Sequence, residues 1–344
     1  MNSINIALLG FGNVAQAFVR YINANHPEIN IRAVSDSSGA LMLESGEQLN
    51  ALLAHKASGK TLREFSSGMI TNHPSALINT LKSAGVSCIV ESLPTNITDG
   101  QPAFDLLRQA LSQGIYVVTV DKGSLVHGFT ALQQIAANTN VQLGFTGTTG
   151  VAIPDELGGQ SVLEIRGVLN GTSNFILSAM QEQGLSFNEA LSIAQRDGIA
   201  EPDPRLDIEG WDTACKILIL AKALMDNKNN RDATLNDVAR IGISAETEKL
   251  IEAARKTNRR VRLVGRARIW QGRLRVSVAP KLVQPDSPFY AVSGTSKLAV
   301  FRTAERGEII SQARSGRDAI SQIIVEDILR ITSLESGVRR LESE

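Results

Sequence analysis

Hydrophobic and polar residues follow two different patterns along the chain. In the first 145 residues, short apolar runs at 4–9, 31–34, 88–90 and 116–120 are separated by stretches in which apolar residues recur at helical spacing. Continuous apolar runs of this length are typical of strands buried on both faces, and their alternation with helices is typical of βαβ units. The pattern therefore predicts a doubly wound parallel sheet of the α/β class.

The pattern changes at 147–150, a segment of glycine and threonine that is interpreted as a flexible junction. The elements predicted beyond it are an antiparallel strand at 163–168, helices around 186–196 and 208–224, long strands at 262–270 and 273–283 that turn at Gln271-Gly272, and a strand run at 299–312. This mixture indicates an α+β domain. A last helix at 318–329 is predicted to return to the first domain. The expected domains are 1–145 completed by 313–344, and 146–312.

Composition supports two globular domains and argues against nucleic acid as a partner. The chain has 344 residues, 43% hydrophobic and 20% charged, which is long for a single core. Lys+Arg and Asp+Glu are both 35, so there is no basic excess of the kind that nucleic-acid binding needs. The one basic cluster, from Lys256 to Arg268, has glutamates beside it and is predicted to be a solvated face.

The compartment is expected to be the cytoplasm. Two cysteines, Cys88 and Cys215, are too few for a disulfide framework. The N-terminus carries no pattern of a secretory signal, and no apolar run approaches the ~20 residues that span a bilayer. No membrane partner is therefore expected.

A glycine motif follows the first predicted strand and opens the first predicted helix. Gly10 allows a tight turn, and Gly12 has no side chain to block a pyrophosphate. The helix that begins at Asn13 and Val14 offers free N–H groups and the positive end of its dipole to phosphates. Ala15 replaces the third glycine of the usual fingerprint. The motif predicts a dinucleotide site on a Rossmann-type sheet.

The cofactor is expected to be NAD or NADP, and one residue favours NAD. Asp36 ends the second strand, where an acidic residue binds the ribose 2′-hydroxyl and repels a 2′-phosphate. Against this, Lys56 or Lys60 could reach a 2′-phosphate from a loop.

Proton transfer needs a side chain in the second domain, and the acidic segment 197–216 is the candidate. None of the four histidines lies in that domain, and neither cysteine has an adjacent histidine to activate it. Asp212 and Lys216 are four residues apart and share a helix face. Lys216 enters the apolar run 217–221, so it is partly desolvated, which suits it to proton transfer. The alternative is an exposed ion pair beside an acidic loop.

Two long motifs resemble the homoserine dehydrogenase family. One is Gly198-Ile199-Ala200-Glu201-Pro202-Asp203-Pro204, continued through Asp207, Gly210, Asp212 and Lys216; the other is the segment from Gly167 to Leu177. The resemblance covers essentially the whole chain. It implies a nicotinamide-linked interconversion of L-homoserine and L-aspartate 4-semialdehyde, a step of threonine and methionine biosynthesis.

The resemblance also implies roles for individual residues. Lys216 would exchange the proton with the substrate oxygen, and Lys122 would lie near the nicotinamide and the substrate. The residues implied to bind substrate are Glu201, Asp207, Asp212, Asn170, Gly171 and Thr172, and those implied to contact the cofactor are Gly10, Gly12, Asn13, Val14, Asp36, Leu93, Lys122 and Gly316. A homodimer is implied, with the long second-domain strands pairing between subunits.

Several positions depart from the usual family pattern. Asp121 replaces an asparagine, and Leu93 replaces a threonine near the nicotinamide. The monovalent-cation loop usually begins with glutamate; here the backbone of Thr146, Thr149, Val151 and Ile153 would have to hold the ion. The chain ends soon after the last helix, so a C-terminal ACT regulatory domain is not expected. Two alternatives stay open: a dehydrogenase of another small hydroxy-amino acid or aldehyde, and a non-catalytic nicotinamide-binding sensor.

Overall fold

The chain divides into two compact units. A computed structural model describes residues 3–66, 74–225, 233–314 and 317–341. Unit 1 consists of Met1–Thr148 and Gly316–Glu344, and unit 2 consists of Thr149–Ser315. Among the described residues, no helix is long and apolar enough to cross a membrane.

Unit 1 is built on a six-stranded sheet whose order is β3-β2-β1-β4-β5-β6. Its strands are Ile4–Leu9 (β1), Ile29–Asp36 (β2), Gly39–Met42 (β3), Cys88–Glu91 (β4), Tyr116–Thr119 (β5) and Leu143–Gly144 (β6). All neighbours pair in parallel except β2 and β3. The apolar runs form strands because both of their faces are buried, as at β4 and β5. The predicted α/β class is confirmed.

Helices surround this sheet, and the last one comes from the C-terminal segment. The helices of unit 1 are Asn13–Asn25 (α1), Gly46–Ala57 (α2), Leu62–Phe65 (α3), Pro74–Ser83 (α4), Ala103–Ser112 (α5), Gly123–Asn138 (α6), Thr146–Thr149 (α7, at the boundary of the units) and, after unit 2, Arg317–Leu341 (α13). Helix α13 packs against α1, β5 and β6, as the prediction that it returns to the first domain requires.

The sequence reasoning missed the antiparallel edge strand β3, which is too short to show a hydrophobic period. One expectation for this part of the chain was wrong. The supposed flexible junction at 147–150 is buried, and α7 covers most of it. Thr146 donates from its amide and its hydroxyl to the carboxylate of Asp327, at 2.8 Å each. The hydroxyl of Thr148 donates to the carbonyl of Thr119 at 2.9 Å, so hydrogen bonds help to fix this segment.

Unit 2 is built on a second six-stranded sheet of order β12-β11-β7-β9-β10-β8. Its strands are Val162–Val168 (β7), Val238–Arg240 (β8), Arg260–Trp270 (β9), Arg273–Val283 (β10), Ser296–Thr303 (β11) and Gly307–Arg314 (β12). All pairs are antiparallel except β8 with β10. The predicted hairpin of β9 and β10 is confirmed; its loop residues Gln271 and Gly272 have φ of 50° and 71°, as a tight two-residue loop requires.

The helices of unit 2 are Gly171–Gln183 (α8), Phe187–Arg196 (α9), Arg205–Ile208 (α10), Trp211–Leu224 (α11) and Thr247–Lys256 (α12). The sequence reasoning missed α8, because most of its positions are buried and no polar face marks its period. The run predicted at 299–312 is two strands, β11 and β12, which turn at Ala304-Glu305-Arg306.

The basic cluster is only partly a solvated face. Lys256 and Arg259 are exposed, but Arg262 is fully buried, which corrects the prediction at that position. Its guanidinium donates to the carbonyl groups of Val261 and Tyr290. Burial, and then the nearby Arg260, lower the pKa of Arg262 to about 10.

Candidate active site

The turn after β1 lies where the strand order of unit 1 reverses, between β1 and β4. Gly10 has φ +95°, and a Cβ there would lie 2.6 Å from the carbonyl oxygen of Ser92. The hydroxyl of Ser92 in turn donates to the carbonyl of Gly10 at 3.0 Å. Only glycine fits this position, and the positive φ and the close approach of Ser92 explain this without any ligand. Ligands of open α/β sheets bind at such a reversal point, beyond the carboxyl ends of the strands.

Gly12 is a glycine for a different reason. Its φ of −84° is open to any residue, and a Cβ there would meet nothing within 4 Å. It directly precedes α1, whose first residues Asn13 and Val14 are at least partly exposed and include no acid. Neither backbone strain nor packing excludes a side chain, so the open space and the helix terminus fit a bound pyrophosphate.

Both carboxylate oxygens of Asp36 accept hydrogen bonds from the protein. Its Oδ1 accepts from the amide and hydroxyl of Ser38 at 2.8 and 2.6 Å. Its Oδ2 accepts from Lys56 Nζ at 2.7 Å and from the Leu62 amide at 3.0 Å. Burial raises the pKa of Asp36, but the hydrogen bonds from Lys56 and Ser38 outweigh it and the net shift is downward. The positive charge of Lys56 thus lies directly against the Asp36 carboxylate.

A buried carboxyl group that the sequence reasoning missed connects the ends of β4 and β5. Glu91 Oε1 accepts from the amide of Leu93 at 2.6 Å, and its Oε2 accepts from the hydroxyl of Thr119 at 2.5 Å. Burial, and then the charge of Asp121, raise the pKa of Glu91 to about 8. A glutamate closing an apolar strand is the only signal in the sequence. Glu91 therefore fixes the turn that carries Leu93.

Asp121 explains one departure from the family pattern. Its carboxylate accepts from the amides of Gly123 and Ser124 at 3.0 and 2.8 Å. These are the first residues of α6, where a negative charge is favourable. Lys122 lies between Asp121 and the helix, and its side chain is only partly buried. The aspartate thus replaces asparagine as a helix cap beside Lys122.

In unit 2, Lys216 and Asp212 form a buried pair. Lys216 Nζ donates to Asp212 Oδ2 at 2.6 Å and to the carbonyl of Leu169 at 3.0 Å. The two side chains are only 9% and 11% exposed. The exposed ion pair, which the sequence left open as an alternative, is excluded. Both residues lie on α11, whose burial follows from the apolar run after Lys216.

Asn170 joins this pair to a second carboxylate. Its Nδ2 donates to Asp207 Oδ1 at 2.6 Å and to Asp212 Oδ2 at 2.9 Å. Its Oδ1 accepts from the amide of Ser173 at 2.8 Å and so caps helix α8. Burial, and then the charge of Asp212, raise the pKa of Asp207. Two carboxylates, an amide and an ammonium are therefore brought together in one cluster, which we call the Lys216 cluster (Lys216, Asp212, Asn170 and Asp207).

The other residues implied to bind substrate differ in their contacts and in their exposure. Gly171 is the first residue of α8, and the hydroxyl of Thr172 donates to the carbonyl of Ile199 at 3.0 Å. Glu201 is exposed, and none of the contacts described for the Lys216 cluster involves it. Gly316 lies outside the described residues.

A second group that the sequence reasoning missed holds the acidic segment in place. The guanidinium of Arg240 stacks 3.6 Å from the ring centroid of Trp211. Trp211 Nε1 donates to Glu209 Oε2 at 3.1 Å. A Cβ at Gly242 would lie 2.4 Å from the carbonyl oxygen of Ile208. Strand β8 and the residues after it thus pack directly on the turn between Asp207 and Asp212.

Comparisons with known proteins agree with this arrangement. The sequence profile described as Homoserine dehydrogenase matches residues 151–329. An NAD(+)-dependent homoserine dehydrogenase of Pseudomonas canavaninivorans is 34% identical over 359 residues, which cover 99% of each chain. The chain belongs to the homoserine dehydrogenase family. A homoserine dehydrogenase of Methanocaldococcus jannaschii is also 34% identical, over 95% of this chain and 98% of its own length. A second profile, Glutamate/Leucine/Phenylalanine/Valine dehydrogenase, matches residues 1–91.

Solved structures of the homoserine dehydrogenase family share the fold. A homoserine dehydrogenase from Thiobacillus denitrificans superposes with a TM-score of 0.79 at 25% identity, covering 98% of this chain and 75% of that one. A hyperthermophilic archaeal homoserine dehydrogenase in complex with NADPH superposes with a TM-score of 0.76 at 25% identity, covering 96% and 98%. Relatives with each cofactor thus support the expectation of NAD or NADP.

The loop implied to hold a monovalent cation surrounds Gly150 and carries contacts of its own. Among the described residues, no group of three His, Cys, Asp or Glu side chains could hold a metal. The loop implied by the homoserine dehydrogenase pattern includes Thr149 and Val151, and the Val151 carbonyl already accepts from the Thr149 hydroxyl at 2.9 Å. The ammonium of Lys297 lies against Gly150, between these two residues.

Proposed function

We propose that this chain catalyses the reversible NAD(P)-dependent interconversion of L-homoserine and L-aspartate 4-semialdehyde. The observation that supports it best is the buried ammonium of Lys216. An ammonium has three donors, and the described contacts, to Asp212 and to the Leu169 carbonyl, use two of them. The remaining donor suits a substrate oxygen.

Lys216 exchanges the reaction's proton in this proposal. When bound, the nicotinamide supplies or accepts the hydride. Lys216 gives a proton from Nζ to the aldehyde oxygen during reduction, and in its neutral form it takes the hydroxyl proton during oxidation. Asp212 holds Nζ in place at 2.6 Å. The carboxylates of Asp207 and Asp212 provide the negative charge that a substrate amino group requires, and the exposed Glu201 is proposed as a further partner of that group.

In unit 1, the proposal assigns the cofactor to the turn of Gly10 and Gly12 and to the start of α1. Leu93 and Lys122 follow the carboxyl ends of β4 and β5; β4 neighbours β1 in the sheet, and β5 neighbours β4. These ends are where open α/β sheets bind ligands, so both residues are proposed to contact the nicotinamide.

A variant series tests the role of Lys216. Lys216→Ala should lower kcat by about 10²- to 10⁴-fold, as expected for loss of a general acid–base group, while leaving the cofactor Kd unchanged. Lys249→Ala, at an exposed lysine on helix α12 of the same unit, is the matched control and should keep wild-type turnover. Near-normal turnover of Lys216→Ala would refute the assignment.

Substrate identity is tested with the wild-type chain. Absorbance of the reduced nicotinamide is followed with homoserine, or with another small hydroxy-amino acid, and with each cofactor. Turnover of homoserine supports the proposal, and turnover of another substrate alone contradicts it. Cofactor binding without turnover of any substrate would favour a sensor.

The chain is also proposed to form a homodimer and to function in the cytoplasm. Several large hydrophobic side chains that are exposed in the single chain lie on strands of unit 2: Leu163, Ile269, Trp270, Leu282 and Ile310. Such side chains are candidates for burial between two subunits. Cys88 and Cys215 are buried and not joined in a disulfide, which fits a reducing compartment. Sedimentation equilibrium tests the dimer, and a mass of 37.0 kDa would contradict it.

A further inference from the structure

Lys297 is a buried lysine of unit 2 that takes no part in the Lys216 cluster. It lies at the start of β11, opposite Ala313 of β12, and is only 8% exposed. Ala299 and Phe301, which share its side of the strand, are both fully buried. The side chain therefore lies within the packed interior of the unit.

The end of this side chain contacts the backbone of Gly150. A Cβ at Gly150 would lie 2.8 Å from Lys297 Nζ and 3.7 Å from its Cδ and Cε. Gly150 also has φ +67°, which L side chains rarely adopt. The ammonium thus occupies the space that any side chain at position 150 would need.

The backbone around Gly150 offers the ligands that a cation needs. Thr149 and Val151 are both fully buried, so their peptide groups are shielded from water. A buried ammonium has three N–H donors and is costly unless oxygen atoms accept from them. Carbonyl oxygens of such a loop are also the ligands through which the family resemblance would place a monovalent cation. The lysine and a bound ion would therefore compete for one set of oxygen atoms.

We propose that the Lys297 ammonium replaces a bound monovalent cation at Thr149-Gly150-Val151, so that the chain needs neither Na⁺ nor K⁺. Two positive charges ~4 Å apart, at an effective dielectric constant of ~20, repel each other enough to weaken cation binding by about a thousandfold. The covalently attached charge is always present, unlike an ion that must be taken up from solution. This inference rests on the proposed function only where turnover is measured.

The first experiment uses the wild-type chain. Its Tm and its kcat/KM for homoserine are measured in choline chloride, NaCl and KCl at equal ionic strength. We expect a Tm that agrees within about 1 °C among the three salts and a kcat/KM that agrees within about twofold. A Tm that rises by several degrees in NaCl or KCl over choline chloride would overturn the proposal.

The second experiment removes the charge. Lys297→Met keeps an unbranched side chain of nearly the same length without the charge, and its Tm in choline chloride should fall below the wild-type value. NaCl or KCl should then raise that Tm in a saturable way, because an ion that binds only the folded state stabilises it. Lys281→Met, at an exposed lysine on β10, is the matched control and should show no cation dependence.

The remaining outcomes also decide the question. A Lys297→Met variant with the wild-type Tm in every salt would contradict the proposal. If the variant fails to fold in choline chloride, its refolding yield in NaCl or KCl becomes the measurement, and no recovery in either salt counts against the proposal. A wild-type Tm that is independent of cations, together with no turnover of homoserine, would refute the proposed function and leave this inference standing.

Discussion

The buried carboxyl group of Glu91 should make the stability of unit 1 depend on pH in a way that a single substitution removes. Burial, and then Asp121, raise its pKa from 4.5 to about 8. Between these values the folded chain keeps a proton that the unfolded chain has lost. Stability from this group is therefore fully present below pH 4.5 and falls as pH rises towards 8.

Glu91→Gln keeps the shape of the side chain and an oxygen for the Leu93 amide, but it cannot ionise. One pKa unit corresponds to ~1.4 kcal/mol, so the wild type should lose ~1.4 kcal/mol per pH unit relative to the variant over this window. Between pH 5.5 and 7.5 the difference in unfolding free energy between variant and wild type should therefore grow by about 3 kcal/mol. At higher pH, above about 8, the difference should level off.

Urea unfolding at several pH values measures this difference. Trp211 and Trp270 both lie in unit 2, so unfolding of unit 1 is followed by pulsed hydrogen exchange in peptides from β4 and β5. Glu64→Gln is the control in the same unit. Glu64 is exposed, and hydrogen bonds from Thr61 lower its pKa, so its effect should be constant above pH ~5. Parallel curves for Glu91→Gln and the wild type would refute the reasoning, because they would mean that Glu91 titrates alike in both states.

Two further pairs of variants test the cofactor turn and the Lys216 cluster. Gly12→Ala should keep the wild-type Tm but weaken NADH binding, measured by fluorescence, by more than about tenfold, because its Cβ meets only the space that the pyrophosphate would occupy. Gly10→Ala should weaken NADH binding and also lower the Tm. Equal losses of Tm in the two variants would contradict this distinction. Asn170→Ala should destabilise unit 2 by about 3–5 kcal/mol in urea titrations followed by tryptophan fluorescence, since it removes a helix cap and two hydrogen bonds to carboxylates. Ser186→Ala removes only the exposed cap of α9 and should cost ~1 kcal/mol, so similar costs for both variants would argue against the shared role of Asn170.

The sequence predicted best those elements whose pattern has one simple cause. Strand β4 is buried on both sides and appears as a continuous apolar run, and the β9–β10 hairpin carries its turn signal at Gln271-Gly272. Helix α8 gave no such signal, because most of its positions are buried, and buried polar residues such as Thr172 and Asn174 bond to other segments of the unit. Strand β3 is four residues long and depends on its pairing with β2.

Some residues of the candidate site could likewise be predicted from the sequence, and others could not. The i,i+4 spacing of Asp212 and Lys216 was sufficient to place them together, because a helix fixes that distance. Asn170 is 42 residues from Asp212, so no local rule connects them, and only the family resemblance drew attention to it. Glu91 and Lys297 were missed because single charged residues in apolar strands look like edge positions until the packing around them is known.

The packing of α13 on α1, β5 and β6 has a consequence for synthesis of the protein on the ribosome. Unit 1 begins with the first residues of the chain, but its last helix and the Asp327 carboxylate that binds Thr146 are made after all of unit 2. At typical translation rates of ~5–20 residues per second, the intervening ~170 residues take about 10–30 s to emerge. During that interval the nascent nucleotide-binding sheet lacks one covering helix and exposes apolar surface, whereas unit 2, being continuous in sequence, can fold first.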